Sequence, residues 1–354
     1  MARHFVANVL TVLIVLFAVA VGVVYWGKAQ FEEGGTTEDM VIFEVPRGGS
    51  MGGVSQALAE EGIISNASLF RIGARYLGKE GDLKFGEYEI PAGASMAQVL
   101  DIVTSGRTIS WNVTVPEGLT SWQVVQLLNS VEFLTGEITE IPPEGSLAPN
   151  TYGVSRNASR ESVIALMSEA QEQILAEEWE NRAEDAAVET PEEALILASI
   201  IEKETGVASE RELVSAVFTN RLEQGMRLQT DPTVIYGITM GEGTLGRGIR
   251  RSELDAETPY NTYVISGLPP TPIANPGRLA IAAALNPAES DYVYFVADGT
   301  GGHAFATTLA EHEANVVKWR QIEAERAAAA EAEAADSGSE EVGPEGGDST
   351  AGGN

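Results

Sequence analysis

Two carboxylates, Glu202 and Glu204, stand close together in the run from Thr190 to Gly237, TPEEALILASIIEKETGVASERELVSAVFTNRLEQGMRLQTDPTVIYG. A carboxyl group holds a proton near neutrality only where its surroundings disfavour the charge, so the question is which of the two is turned inward. At about 100° per residue, Leu197 and Ile201 share one stripe of a helix, flanked by Ala194 and Ile200, and Glu204 lies about 20° from Leu197. Glu202 is turned about 140° from Leu197, towards Ser199 and Lys203. The spacing therefore predicts a solvated Glu202 and an interior Glu204 whose raised pKa suits it to proton transfer. The alternative is that Gly206 ends the helix so soon that Glu204 escapes to water. Spacing alone leaves both readings open.

The elements that must position these groups are marked by their caps. Thr190 as N-cap, Pro191 at the first helical position and Glu193 form a helix start with a capping box. Ser209 with Glu212 reads as a second box, opening a helix that Gly225 stops in a left-handed turn. A polar, turn-rich run from Arg227 to Thr233 follows, in which Asp231 before Pro232 is a plausible N-cap. Gln229, Asp231 and Tyr236 also suit sugar recognition, an amide and a carboxylate for hydroxyls and an aromatic face for the ring. Asn275 and Pro276 read as a further helix start. Residues 291–297 read as a strand that Gly299 to Gly302 turn back into His303–Ala306 as a hairpin. His303 at that hairpin is read as a hydrogen-bonded structural residue. No His or carboxylate spacing resembles a metal site, and no metal or cofactor is expected. Thr308 with Glu311 caps a last helix, which trails into Ala327–Ala330 and an Asp/Glu/Gly/Ser tail from about Asp336. That tail has almost no apolar residues to bury and is expected to be disordered.

Upstream, Phe5 to Trp26 is almost uninterruptedly apolar, long enough for a helix to cross a ~30 Å hydrocarbon core. Tyr25 and Trp26 mark one interface. A cleaved signal peptide competes with this anchor, with Ala18-Val19-Ala20 as its site, but the apolar run continues through Val24 and favours an uncleaved span. The recognisable motifs all lie beyond it, so a chain starting near Glu32 is expected to keep them. After a polar linker a repeat appears. Val45-Pro46, Gly48, Ser50 and Val54 recur as Ile90-Pro91, Gly93, Ser95 and Val99, then as Val115-Pro116, Gly118, Thr120 and Val124. Each copy reads as a strand end, a tight turn, an N-cap and a helix. Gln98 and Gln123 complete capping boxes in the last two copies. Residues 161–181 read as a long amphipathic helix carrying Val163, Leu166, Met167 and Ile174 on its apolar side. The chain has no cysteine, which excludes disulfides and thiolate chemistry, and its net charge of -30 argues against nucleic-acid binding.

The stretch EKETGVASERELVSAVFTNRL followed by GMRLQTDPTVIYG closely resembles the YceG-like family of bacterial endolytic murein transglycosylases. Tyr260-Asn261-Thr262-Tyr263, Gly267-Leu268-Pro269-Pro270 and Ile273-Ala274-Asn275-Pro276-Gly277 are similar to the pattern of that family. In Glu144 to Tyr152 the chain departs from it, with Ala148 and Asn150 where the family commonly has an aromatic and an acidic residue. The resemblance implies Glu204 as catalytic acid, with Gln229, Asp231, Tyr236, Tyr260, Asn261 and Tyr263 binding substrate. It implies cleavage of the bond between N-acetylmuramic acid and N-acetylglucosamine within nascent peptidoglycan strands, leaving a 1,6-anhydromuramyl end and terminating elongation. It also implies that the repeats are LysM-like modules.

The fold class expected is α+β. An anchor at 1–27 and a linker at 28–40 precede LysM-like modules at 41–136, a catalytic domain at 137–322 and an acidic tail at 323–354. The partners expected are peptidoglycan glycan strands, the membrane and peptidoglycan synthases (penicillin-binding proteins). The location expected is the bacterial inner membrane, with the N-terminus cytoplasmic and the catalytic domain on the periplasmic side. Two rivals are a non-catalytic wall-binding protein and a hydrolytic muramidase with Asp231 as second carboxylate.

Overall fold

The structure, a computed structural model, describes residues 2–184 and 186–337 and divides into two units. The first comprises Met1–Val113, Glu132–Thr135 and Tyr152–Ser159; the second comprises Thr114–Val131, Gly136–Thr151 and Arg160–Asn354. The mixture of helix and short strand is that of an α+β protein. The expectation of disorder for the tail concerns, after Ser337, residues outside those described.

In the first unit, α1 (Ala2–Glu32) is a single unbroken helix. Its stretch Asn8–Glu32 has a mean hydropathy of 2.7, long and apolar enough to cross a membrane. It is followed by β1 (Val41–Val45), α2 (Met51–Glu60), α3 (Ala67–Tyr76), β2 (Gly86–Ile90) and α4 (Met96–Ser105). β1 and β2 pair antiparallel with Phe43 opposite Tyr88 and Val41 opposite Ile90. That register sends Phe43, Val45, Tyr88 and Ile90 into a core shared with Leu58, Phe70 and Leu100. β3 (Trp111–Thr114) pairs with β4 (Thr151–Val154), whose Tyr152–Val154 belong to this unit as well.

The repeats have one local cause. Gly48, Gly93 and Gly118 all adopt φ between 68° and 75°, a left-handed conformation that favours glycine. The next polar residue caps the helix: Ser50 accepts from Gly53 N, while Ser95 with Gln98 and Thr120 with Gln123 form complete capping boxes.

The second unit holds α5 (Ser121–Ser130) and α6 (Arg160–Glu180). On α6, Val163 and Met167 are buried whereas Leu166 is exposed. Next come α7 (Pro191–Glu204), a 3-10 turn Ala208–Glu210, α8 (Arg211–Glu223), α9 (Asp231–Thr239), α10 (Arg251–Leu254) and α11 (Arg278–Leu285). The hairpin β5 (Tyr294–Ala297) and β6 (His303–Ala306) precedes α12 (Leu309–Ser337), which starts at the expected Thr308–Glu311 box. The helix runs through Asp336, past the point where its alanine run was expected to trail off. α7 is the centre of this unit. Its Leu197 and Ile201 share a core with Val214 and Phe218 of α8 and Ile281 and Leu285 of α11.

Three start signals differ from expectation. Ser209 does not cap α8, because the chain enters that helix through the 3-10 turn and α8 has no side-chain cap. Glu193 reaches back to the backbone N–H of Glu189 and not to that of Thr190. Asn275 starts no helix: α11 begins three residues later, and Asn275 is buried, accepting from Leu147 N and donating to Leu119 O. It staples three loops together.

The end of α1 belongs to the first unit's core. Phe31 is buried, and a Cβ added to Gly73 of α3 would lie 2.3 Å from its ring. A chain beginning after Glu32 therefore loses a core aromatic along with the apolar span, so a cut before Lys28 is the better one. Gly73→Ala gains about 1 kcal/mol of helix propensity, but forcing the ring aside costs about 1–3 kcal/mol, so we expect net destabilisation. In a Phe31→Ala background the clash is gone and the same substitution should stabilise. Urea unfolding midpoints of the two pairs of variants check this reversal of sign.

Candidate active site

Glu204 is the last residue of α7, and the helix is stopped by Thr205, whose backbone N–H bonds to Ile201 O. The residue that meets its carboxylate comes from the other side of α8. Thr230 is the N-cap of α9, yet its side chain makes no capping bond. Its hydroxyl donates instead to Glu204 Oε1. Thr230 is itself held by Thr262, which accepts from Thr230 N at 3.0 Å and pairs with Thr233 Oγ1 at 2.9 Å.

Burial pushes the Glu204 carboxyl above the ordinary carboxylate range, and the neighbouring charge of Asp231 pushes the same way. The Thr230 hydroxyl, His303 and Arg221 oppose this shift. The position adds to the effect, since the carbonyls at a helix C-terminus carry partial negative charge. Arg221 cannot come closer to the carboxylate because its guanidinium is used structurally. It donates to Val293 O at 2.6 Å and Leu228 O at 2.7 Å, tying α8 to the hairpin and to the loop before α9.

Around Glu204 opens a cleft of 270 Å³, lined further by Val207, Gly302 and His303, with Trp319 and Arg326 of α12 on another wall. That is below the ~300–1,000 Å³ of pockets that enclose a whole small molecule. His303 is clamped by Glu210, which accepts from its backbone N–H at 3.0 Å and lies 2.8 Å from its Nδ1. Gly302 permits the clamp, because a Cβ there would lie 2.4 Å from Glu210 Oε1. Among the described residues no group of three or more His, Asp or Glu side chains could hold a metal ion.

The residues expected to bind substrate separate into two groups. Asp231 is exposed and accepts from the Tyr263 hydroxyl at 2.7 Å, and burial together with that carboxylate raises the Tyr263 pKa. Gln229 is exposed in a left-handed conformation, φ 53°, directly before Thr230. Asp231 and Tyr263 lie within electrostatic reach of Glu204, and Gln229 adjoins its partner Thr230.

The other three are committed elsewhere. Tyr236 is buried, its ring 5.1 Å from that of Tyr260 and its hydroxyl donating to Glu144 at 3.2 Å, so it offers no free face to a sugar. Tyr260 bonds Thr271 through its hydroxyl at 2.9 Å. Asn261 is fully buried, and its amide donates to the carbonyls of Glu253, Leu254 and Ala256 while its oxygen accepts from Tyr263 N. It shapes the loop that carries Tyr263.

Glu202 is the larger departure. Its side chain is 6% exposed, not solvated. It accepts from Gly277 N at 2.9 Å and lies 3.8 Å from the buried Arg211 guanidinium. Desolvation raises its pKa. The helical wheel assumed that α7 has one wet side, but Ser199 is also fully buried and donates to Ile196 O. Packing covers Glu202 and Ser199, and of the side expected to be polar Lys203 stays exposed.

A model of the YceG-like family matches residues 43–318, well over half of the chain. The chain belongs to that family. Its relatives include a protein of Bacillus subtilis named endolytic murein transglycosylase, 30% identical over 305 residues, which make up 77% of this chain and 82% of that one. A Streptococcus pneumoniae protein of the same name is 27% identical over 327 residues, and the match spans 58% of its length. A crystal structure of a YceG-like protein from Listeria monocytogenes is 30% identical, with a TM-score of 0.49 over 78% of this chain and 99% of that one.

In this family member, sequence reasoning missed Thr230 and Arg221 and did not connect Glu210 to His303. The one available signal was Thr230 itself, a cap-type residue adjoining the turn that was assigned to Asp231. Thr230 favours the charged form of Glu204, so Thr230→Val should raise the Glu204 pKa further, as read by NMR titration of the labelled carboxyl. Glu202→Ala should destabilise the fold by about 3 kcal/mol, because it leaves the Gly277 N–H and the buried Arg211 guanidinium without their partner. The neutral Glu202→Gln keeps an acceptor and should cost far less. Urea unfolding measures both losses, and an unchanged midpoint for Glu202→Ala would place Glu202 in water after all.

Proposed function

We propose that this protein is an endolytic lytic transglycosylase of peptidoglycan, as its Bacillus and pneumococcal relatives are named. The observation that carries the reading is a single carboxyl group, Glu204, kept inclined to hold a proton at the edge of an open cleft. In this reading Glu204 is the general acid. It donates its proton to the oxygen linking N-acetylmuramic acid to N-acetylglucosamine. The carboxylate so formed is steadied by the Thr230 hydroxyl. It then takes the proton of the muramic 6-hydroxyl as that oxygen attacks the anomeric carbon. The product is a 1,6-anhydromuramyl end, and no water is consumed.

An ordinary glycosidase needs a second carboxylate as nucleophile or base. Asp231 is the nearest candidate, but its Oδ1 is engaged by Tyr263. In the transglycosylase reading Asp231, Tyr263 and Gln229 hold sugar hydroxyls beside the acid. The N-terminal helix is compatible with a membrane anchor. We place its N-terminus in the cytoplasm and the catalytic unit outside the plasma membrane. Tethering there raises the effective concentration of the enzyme at strands emerging from the synthases, which makes termination of elongation its natural role. The repeats within 41–136 would serve as LysM-like glycan-holding modules.

Product mass on purified glycan strands tests the chemistry. We expect anhydro ends, and products heavier by one water would instead indicate a muramidase. Glu204→Gln should lower turnover by about 10²–10⁴-fold, the usual worth of a general acid, with the chain still folded. Full activity in that variant would remove Glu204 from the mechanism, and wild-type protein that binds strands without cutting them would leave only a wall-binding role.

A further inference from the structure

In the first unit an apolar groove lies beside α1. The helix enters the first unit without a linker, since Phe31 is in the core and Gly27 lies against Leu69 of α3, 3.6 Å from where a Cβ would sit. Between α1 and α3 runs a continuous groove of 640 Å³. One part is lined by Val23, Val24 and Trp26 of the apolar span, another by Ile72, Tyr76 and Leu77 on and just after α3. These last three are 65%, 88% and 50% exposed. A folded unit gains nothing by presenting three such side chains together to water, and exposed apolar patches of this kind mark interaction sites.

We propose that this groove is filled by phospholipid acyl chains, so that α3 rests on the bilayer and the first unit is seated at the membrane surface. The occupant is argued from continuity. If Phe5–Trp26 crosses the membrane, Val23 and Val24 must face lipid, and the same groove carries on to Ile72, Tyr76 and Leu77 without a break. Lys28 and Glu32 also line it as a loose, exposed pair 3.8 Å apart, and turning the Lys28 ammonium from Glu32 to a lipid phosphate suits the level at which the span ends. Tyr76 has the amphipathic character favoured at a membrane interface.

The proposal rests on the reading of α1 as a membrane span, and the test separates the two. The chain has no cysteine, so single cysteines can be placed at will in the full-length protein. Val24→Cys, Ile72→Cys, Leu77→Cys and, on the exposed side of α2, Gln56→Cys are each labelled with an environment-sensitive fluorophore. The labelled proteins are reconstituted in phosphatidylglycerol–phosphatidylethanolamine vesicles carrying a spin-labelled lipid quencher. We expect labels at positions 24, 72 and 77 to shift to the blue and be quenched, and the label at 56 to remain in water. Quenching at 24 without quenching at 72 and 77 overturns the groove proposal and leaves the anchor standing. No quenching at 24 overturns both. Quenching at all four positions, including 56, overturns a seat confined to α3. Because an apolar label could insert by itself, phospholipid copurifying with unlabelled protein is measured too. Ile72→Asp with Leu77→Asp should lower it, and an unchanged amount overturns the proposal.

Discussion

Everything at the candidate site follows from the burial of α7. A helix wrapped by α6, α8, α9 and α11 has little room for a charged side chain along its length, and Glu202 is tolerated only because Gly277 N–H and Arg211 meet it. Glu204 stands one residue before the chain leaves the helix, at the boundary between the packed interior and the cleft. There it is desolvated on one side and reachable on the other. A fully sealed carboxyl could not reach a substrate, and a solvated one would not hold a proton. Thr230, Arg221 and His303 moderate the shift that burial imposes. None of them reverses it.

The second unit is built to keep that boundary fixed. α8 is locked to the hairpin by Arg221 and to Ala283 O by the Ser215 hydroxyl, while Ser199 on α7 accepts from Ile273 N. These are buried polar groups on otherwise apolar helices, each with a backbone partner, and such bonds fix register better than apolar contact alone. The withdrawal of Thr230 from capping belongs to the same arrangement. A helix N-cap is worth about 1 kcal/mol, and α9 gives it up so that a hydroxyl can reach across to α7.

What the sequence makes legible is what neighbours along the chain decide. The three glycine turns with Ser50, Ser95 and Thr120 as caps, the Thr308–Glu311 box and the hairpin at Gly299–Gly302 are all local, and all are present. The position of Glu204 was legible because it ends the apolar stripe. Glu202 was misread because a wheel knows only one helix, and the packing of α11 against its far side is invisible from there. Asn261 and Tyr236 show a second limit. Their side chains suit sugar binding by type, but backbone carbonyls and Glu144 already use their polar atoms. Thr230 shows a third: 26 residues separate it from Glu204, and nothing along the chain announces such a bond.

The buried carboxyls also set how the fold responds to acidity. Burial raises the pKa values of Glu144, Glu202 and Glu204. A carboxyl with a folded pKa above its unfolded value, about 4.3, weakens the fold progressively as pH climbs from there through the folded value. Hydrogen bonds lower the pKa values of surface groups such as Glu80, Asp298 and Glu311. Those groups support the fold above their unfolded pKa and withdraw that support as pH falls. The two sets oppose each other on either side of mild acidity, and the repulsion within a chain of net charge -30 grows on the alkaline side. A protein arranged this way is firmest in mild acid, above the pH at which its surface carboxylates take up protons and below that at which its buried ones give theirs up.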